Sequence, residues 1–257
     1  MSAFASGEQR WIERLGGLRN AIRQELIARQ LATVAKPGER VLDVGCGQGT
    51  QALRLASDGC QVTGVEPSRE LRRLCEHGAL GRGVQIELIE GTLEDLDALF
   101  RGRTFDLVLA HGVLMYLPDT AAALAALTRR VASHGQLAIS FRNAHALAFR
   151  PGMRRDWAGA LRAFDSDDYV IELGVTAKAH RLDDVKEMLR TLGFTIDCWF
   201  GVRVFNDSVA GDSTIPADED FAALLDAEEQ AGRRDPYRWM ASQLHVIASH
   251  HVIASRR

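Results

Sequence analysis

Two acids and a run of glycines are the residues most able to do chemistry. In VLDVGCGQGT, residues 41–50, Asp43 precedes Gly45, Gly47 and Gly49. Without Cβ atoms, such a loop can turn tightly and let its backbone approach a bound group. Glu66, in VTGVEPS, ends the next apolar run, where a carboxylate can accept hydrogen bonds from both hydroxyls of a ribose. Loop and acid together describe a nucleoside cofactor at the carboxyl end of a strand.

Two cofactors compete for that loop. Gly47-x-Gly49-x-x-Ala52 satisfies the looser nicotinamide dinucleotide fingerprint. Three features favour S-adenosylmethionine instead. Asp43 stands where it can approach an amino-acid end of the cofactor. GTLEDL (91–96) supplies polar residues where an adenine amino group would lie. FDLVLAHGVLMYLPD (105–119) delivers His111 to the mouth of a further strand.

The elements that must position these residues follow from periodicity. Trp11, Leu15, Leu18, Ile22 and Leu26 recur at helical spacing, and Pro37-Gly38 is expected to end that helix. Strands are expected at 40–44, 61–65, 84–89, 105–110 and 136–141, with helices at 50–58, 68–77, 93–99 and 119–132. Ser68 and Asp119 are candidate N-caps. Alternation of this kind predicts an α/β fold: a doubly wound, mostly parallel sheet with helices on both faces. Residues 142–180 read as an irregular insertion. A helix near 181–192 and a strand near 194–204 resume the rhythm. A second insertion, 206–238, carries a helix near 218–231, and an apolar run at 244–254 closes the chain. HVIAS occurs at 245–249 and again at 251–255, read as a locally duplicated last strand and not as a metal site. One domain is expected: a helical cap (1–36), a cofactor core (37–141) and a substrate side (142–257).

Composition narrows the class. The 257 residues are 46% hydrophobic and 25% charged, ordinary for a globular enzyme. A formal charge of −3 argues against a general nucleic-acid coat. No apolar run reaches the ~18 residues of a membrane span, and MSAFASGEQRW is no secretory leader, so a cytoplasmic protein is expected. Cys46, Cys60, Cys75 and Cys198 are too scattered for a zinc site or a disulfide framework; buried thiols and no metal are expected.

The chain resembles the class I S-adenosylmethionine-dependent methyltransferases, and within them the tRNA carboxymethoxyuridine methyltransferases. The likeness is carried by LRNAI (18–22), the glycine loop, FDLVLAHGVL (105–114), FRNAHAL (141–147), GVRVFND (201–207), LLDAEEQ (224–230), DPY (235–237) and LHVIA (244–248). It implies a seven-stranded Rossmann-like sheet and S-adenosyl-L-methionine as cofactor, with S-adenosyl-L-homocysteine as product. Arg19 would reach the methionine carboxylate, for which a guanidinium fork is suited. Gly45 and Cys46 would contact the cofactor through backbone, Glu66 would hold the ribose, Leu93 and Glu94 would flank the adenine, and His111 would lie beside the reaction site. By residue type alone, Arg19 reads as a solvated helix residue and His111 as a packed, hydrogen-bonded histidine.

The implied acceptor is a carboxylate, already nucleophilic at neutral pH, so no general base is required. Arg142, Asn143, His145 and Arg203 are the candidates for holding it, with Asn143 also readable as a helix cap and Arg203 as an ion-paired strand residue. A tRNA partner is expected from the resemblance, with Arg142, Arg150, Arg154 and Arg155 interleaved with Phe149 and Trp157 to bind phosphates and stack a base. FDSDDYVIELG (164–174) departs from a basic run there, since Asp165, Asp167, Asp168 and Glu172 would repel phosphates. A small carboxylic or phenolic metabolite is the alternative acceptor, and a cofactor-binding scaffold without turnover is the alternative class.

Overall fold

The computed structural model describes residues 16–170, 176–208 and 213–251. Trp11, Leu15, Glu172 and the second HVIAS beyond His251 lie outside the described residues. Helix α1 (Leu18–Leu31) buries Leu18, Ile22 and Leu26 as their spacing predicts, and Ile27 and Leu31 with them. It stops well before Pro37: the N–H of Ala32 closes on Ala28 O, and the Pro-Gly pair opens β1 instead.

The next elements are β1 (Arg40–Val44), α2 (Thr50–Ser57), β2 (Gln61–Val65), α3 (Arg69–Arg82) and β3 (Ile86–Ile89). Ser68 caps α3, its hydroxyl accepting from Leu71 N at 3.1 Å. The helix outruns its expected end at 77 because Leu71, Cys75 and Ala79 form a buried stripe. Val84 N then bonds Ala79 O, which delays β3 by two residues relative to expectation.

A single tight turn, Leu93–Asp95, leads into the short α4 (Leu96–Leu99). β4 (Phe105–His111) and α5 (Thr120–Thr128) follow, α5 capped by Asp119 through Ala122 N at 2.9 Å. The helix expected to reach 132 ends at Thr128, because β5 (Val131–Arg142) begins there. Its early part lies tight against β4: a Cβ on Gly135 would stand 2.8 Å from Asp106 O, and the register slips beside it.

Residues 142–170 and 176–180 hold more regular structure than expected. They hold α6 (Phe149–Met153), α7 (Trp157–Asp165) and a hairpin of β6 (Asp168–Val170) with β7 (Thr176–Lys178). Then come α8 (Leu182–Thr191), β8 (Phe194–Val202), α9 (Asp218–Arg233) and β9 (Gln243–His250).

Seven strands form one sheet in the order β3-β2-β1-β4-β5-β9-β8. β1 to β5 run parallel, and β9 lies antiparallel between β5 and β8. Alternation sorts side chains to two faces: Leu42, Val108 and Val246 pack with α5 and α8, whereas Val41, Leu107 and Ile247 pack with α1 and α2. The chain winds outward through β2 and β3, then returns past β1 to lay down β4. That reversal leaves a crevice beyond the carboxyl ends of β1 and β4, where open α/β sheets bind ligands. All four cysteines are free thiols, Cys46, Cys60 and Cys75 buried. Among the described residues, no helix is long and apolar enough to cross a membrane.

Candidate active site

β1 delivers the glycine loop to this crevice. Gly45 N donates to Val65 O at 2.8 Å, tying the loop to the end of β2. Glu66 then spans it: one carboxylate oxygen accepts from Gly47 N at 2.9 Å and the other from Ser68 N at 2.9 Å. Glu66 is thereby oriented by the loop.

The glycines have different reasons. Gly49 is left-handed, with φ of 83°, at the N-terminus of α2, and a Cβ there would stand 2.2 Å from Cys75 Sγ. Its lack of a side chain serves helix packing as well as any ligand. Gly45 faces the exit of β4, where a Cβ would meet Val113 Cγ2 at 2.7 Å. The Cys46 thiol lies against Gly64, leaving its backbone to the crevice.

Asp43 is buried beside this loop. Burial, and secondarily the charge of Glu66, pushes its carboxyl up to about 7. Among the described residues no basic side chain bonds Asp43, and two buried acids side by side ask for a cationic ligand group, which an ammonium or a sulfonium supplies. Leu93 packs into the core beyond β3, and Glu94 stands exposed at the rim. Arg19 and Arg23 approach from α1: Arg19 is 8% exposed, and Arg23 donates to Asn20 Oδ1 at 2.6 Å.

His111 ends β4, and its Nε2 lies 3.2 Å from Nε2 of His245 on β9. His245 Nδ1 is in turn 2.7 Å from Gln30 Oε1 on α1. A pair of imidazoles, His245 fully buried and His111 half-buried, unforeseen in the sequence, therefore stands in the molecule.

The acceptor candidates divide. Arg142 and Arg203 converge on Asp207, at 3.1 and 3.3 Å. Arg203 takes a left-handed φ of 62° and donates from Nε to Ser242 Oγ at 3.1 Å. Burial pushes its guanidinium down to about 10, with Arg142, Arg23 and Arg19 acting the same way and Asp207 opposing. Burial opposes ionisation of Asp207, yet Arg203 and Arg142 bring it down to about 2. Arg142 also lies over the Tyr169 ring at 5.6 Å. Two buried arginines thus share one carboxylate, and the charges of Arg23 and Arg19 also bear on Arg203.

Asn143 is a correction. Its amide donates to Trp239 O and Ala241 O, both at 2.9 Å, and its carbonyl accepts from His145 N at 3.1 Å. Both of its donors are spent on the backbone, so it anchors the turn and offers an acceptor carboxylate nothing. His145 is exposed, its ring 6.0 Å from Trp239.

Glu228 escaped the sequence reading although it lies in LLDAEEQ. Fully buried on α9, it accepts from Val204 N, Phe205 N, Asn206 N and Asn206 Nδ2 at 2.6 to 3.0 Å. It fixes the loop that carries Arg203 and Asp207. Asp207 was likewise visible in GVRVFND but not singled out.

Fold and site define a nucleoside-dependent transferase, and the chain belongs to the S-adenosylmethionine-dependent methyltransferases. Residues 42–139 match the family described as methyltransferase domain. The chain is 30% identical to tRNA 5-carboxymethoxyuridine methyltransferase of Escherichia coli (strain K12), over 91% of this chain and 88% of that one. It is 33% identical to ubiquinone biosynthesis O-methyltransferase of Xanthomonas campestris pv. campestris (strain B100), over 58% of this chain and 63% of that one. Its fold matches magnesium protoporphyrin IX methyltransferase from Synechocystis PCC 6803 with bound SAH, at a TM-score of 0.61 and 18% identity, covering 95% and 94% of the two chains.

Proposed function

We propose that this enzyme transfers a methyl group from S-adenosylmethionine to a carboxylate, that of carboxymethoxyuridine at the wobble position of tRNA. The observation that carries the acceptor class is the buried pair Arg142 and Arg203, which among the described residues share one counter-ion, Asp207. Two cations on one anion leave room for a second carboxylate, and guanidinium forks bind carboxylates by paired hydrogen bonds. The likeness to a tRNA methyltransferase over 91% of the chain supports the specific acceptor.

The cofactor supplies an electrophilic methyl group on a positively charged sulfur. Arg19 takes its methionine carboxylate, and Asp43 faces its cationic end. The backbone of Gly45, Cys46, Gly47 and Gly49 closes round it. Glu66 accepts from the ribose, and Leu93 and Glu94 border the adenine. His111 stands at the mouth of β4 beside the reacting groups. Arg142 and Arg203 hold the acceptor carboxylate in line with the methyl–sulfur bond. The carboxylate forms a C–O bond as the C–S bond breaks, and both charges vanish without a proton transfer. Orientation of this kind contributes on the order of 7–11 kcal/mol in favourable cases.

Trp157, Leu161 and Phe164 lie exposed along α7 at helical spacing. Arg155 and Arg162 stand exposed on the same segment, a surface able to stack unpaired bases and meet phosphates. Arg142 does not belong to it, being buried on Asp207. Asp167 pairs with Arg181 at 2.9 Å, which offsets one negative charge of the 164–170 stretch. The 33% identity to a ubiquinone O-methyltransferase supports a second reading, a small phenolic or carboxylic acceptor. Mass analysis of tRNA nucleosides from cells with and without this protein separates them. Loss of a methyl-ester uridine upholds the first; an unchanged nucleoside profile transfers priority to the metabolite.

A further inference from the structure

Arg23 brings a cation into the crevice without an anion to meet it. It lies one helical turn beyond Arg19 on α1, so both side chains leave the same face of the helix, about 6 Å apart along its axis. Half-buried, Arg23 donates from Nη2 to the amide oxygen of Asn20 at 2.6 Å, a neutral partner. Among the described residues no carboxylate pairs with it. Withdrawing a guanidinium from water costs free energy unless an anion or a full set of hydrogen bonds offsets it. A bound anion would.

The guanidinium ends at the exit of β4, where Nη1 lies 3.5 Å from the place a Cβ of Gly112 would take. Gly112 is tied to the acceptor side of the crevice: its N–H donates at 3.1 Å to Ser140 O on β5, two residues before Arg142. Arg142 stands in register with Gln243 of β9, and Gln243 with Val202 of β8, the residue before Arg203. Along this edge of the sheet the order is therefore the glycine loop after β1, Arg23 over the end of β4, then Arg142 and Arg203. Arg23 is also near enough to Arg203 and His111 for its charge to bear on both. A methyl group passing from the proposed cofactor seat to the acceptor arginines crosses the end of β4, where Arg23 stands.

We propose that Arg23 is a third acceptor-binding arginine, which joins Arg142 and Arg203 on the carboxylate to be methylated. The inference rests on the carboxylate acceptor proposed above and adds the residue that meets it from the cofactor side. Guanidinium forks from α1 and from beyond β5 then grip the anion from two directions, which fixes one oxygen toward the methyl group. Arg19, a turn earlier on α1, is left to the methionine carboxylate. The same arrangement favours release of product, because a methyl ester offers the three cations no charge. Burial agrees with a cation awaiting its anion: it pushes the Arg23 guanidinium down, with Tyr116 opposing.

The test uses para-fluorophenoxyacetate, an aryloxyacetate whose carboxylate stands for the acceptor's, and its methyl ester. Each is titrated into protein saturated with S-adenosylhomocysteine and followed by fluorine magnetic resonance. Native protein is expected to bind the acid at least about tenfold more tightly than the ester. Arg23→Met should weaken the acid about 10- to 100-fold and leave the ester unchanged. Arg23→Lys, which keeps the charge without the fork, should recover part of the loss. Calorimetric affinity for S-adenosylhomocysteine should stay within about twofold of native in Arg23→Met, and its Tm should hold or rise. Acid binding that Arg23→Met leaves unchanged overturns the proposal while the carboxylate acceptor stands, and a lowered Tm beside it makes Arg23 structural. Loss of S-adenosylhomocysteine affinity in Arg23→Met, with the decarboxylated analogue still bound as by native protein, gives Arg23 to the cofactor and overturns it too. Native protein that does not prefer the acid to the ester overturns the carboxylate acceptor, and the role of Arg23 with it. Should Arg23→Met not fold, Arg23→Gln is read in the same way.

Discussion

Replacing Glu228 is the sharpest test of how the acceptor arginines are held. Its Oε1 accepts from Phe205 N, Asn206 N and Asn206 Nδ2, and its Oε2 from Val204 N. Hydrogen bonds to a charged group contribute about 1.5–3 kcal/mol each, but four do not add, and Phe205, at 53% exposure, can give its N–H to water. Glu228→Ala should therefore cost about 3–5 kcal/mol, and Glu228→Gln, which keeps the three bonds to Oε1, about 1–3 kcal/mol. For a chain of this size the alanine variant loses roughly 6–20 °C in Tm. Urea unfolding gives the free energies, and steady-state kinetics well below the lowered Tm gives the rest: KM for the acceptor rises while the affinity for S-adenosylmethionine holds. An alanine variant within about 1 kcal/mol of the native protein, or one that weakens cofactor and acceptor alike, refutes the reasoning.

Gly49→Ala meets both a left-handed backbone and Cys75, so a loss of about 2–4 kcal/mol is expected, with cofactor affinity falling too; urea unfolding and calorimetry check it. Asp43, with its carboxyl raised from 3.8 to about 7, supports the ligand-free fold fully below its unfolded value, and that support is lost as pH climbs through about 7. Cofactor binding should consequently release close to one proton at about pH 6, read from calorimetry in buffers of different ionisation enthalpy, and zero release or uptake counts against it. Asp43→Asn should be more stable than the native ligand-free protein at pH 8 by about 2–4 kcal/mol, yet bind cofactor poorly. Arg203→Met should lower kcat/KM for the acceptor about 10- to 100-fold at unchanged cofactor affinity, since one guanidinium then only balances Asp207. Trp157→Ala should weaken tRNA binding by about 1–3 kcal/mol and leave calorimetric cofactor affinity untouched.

Much of the cofactor half was legible because it is local. Asp43, the glycine loop and Glu66 lie on short apolar strands bounded by turn residues, and β1 and β2 fall where expected. Where neighbours far along the chain decide, reading failed. The helix expected over 119–132 stops short, because pairing of Val131 with Phe105 starts β5 five residues before the expected 136. The 142–180 insertion looked irregular although Trp157, Leu161 and Phe164 carry helical spacing, because α6 and α7 bury no residue to mark a core face. Arg142 and Arg203 were named, but not the carboxylate between them, since nothing local ties residue 142 to residue 207. Asn143 showed its capping chemistry in its residue type, and only the carbonyls of Trp239 and Ala241 decide that it is spent there.

β9, the last described strand, sits in the interior of the sheet. β9 is flanked on both sides, by β5 and by β8, and it contributes Leu244, Val246, Ile247 and Ala248 to cores on both faces. Until its residues leave the ribosome, β8 has no partner and the hydrogen-bonding edge of β5 stands open to stray pairing. His245 arrives on that same strand. Assembly of the sheet and completion of the histidine chain are therefore one event, and a polypeptide shortened by its final strand forfeits both together.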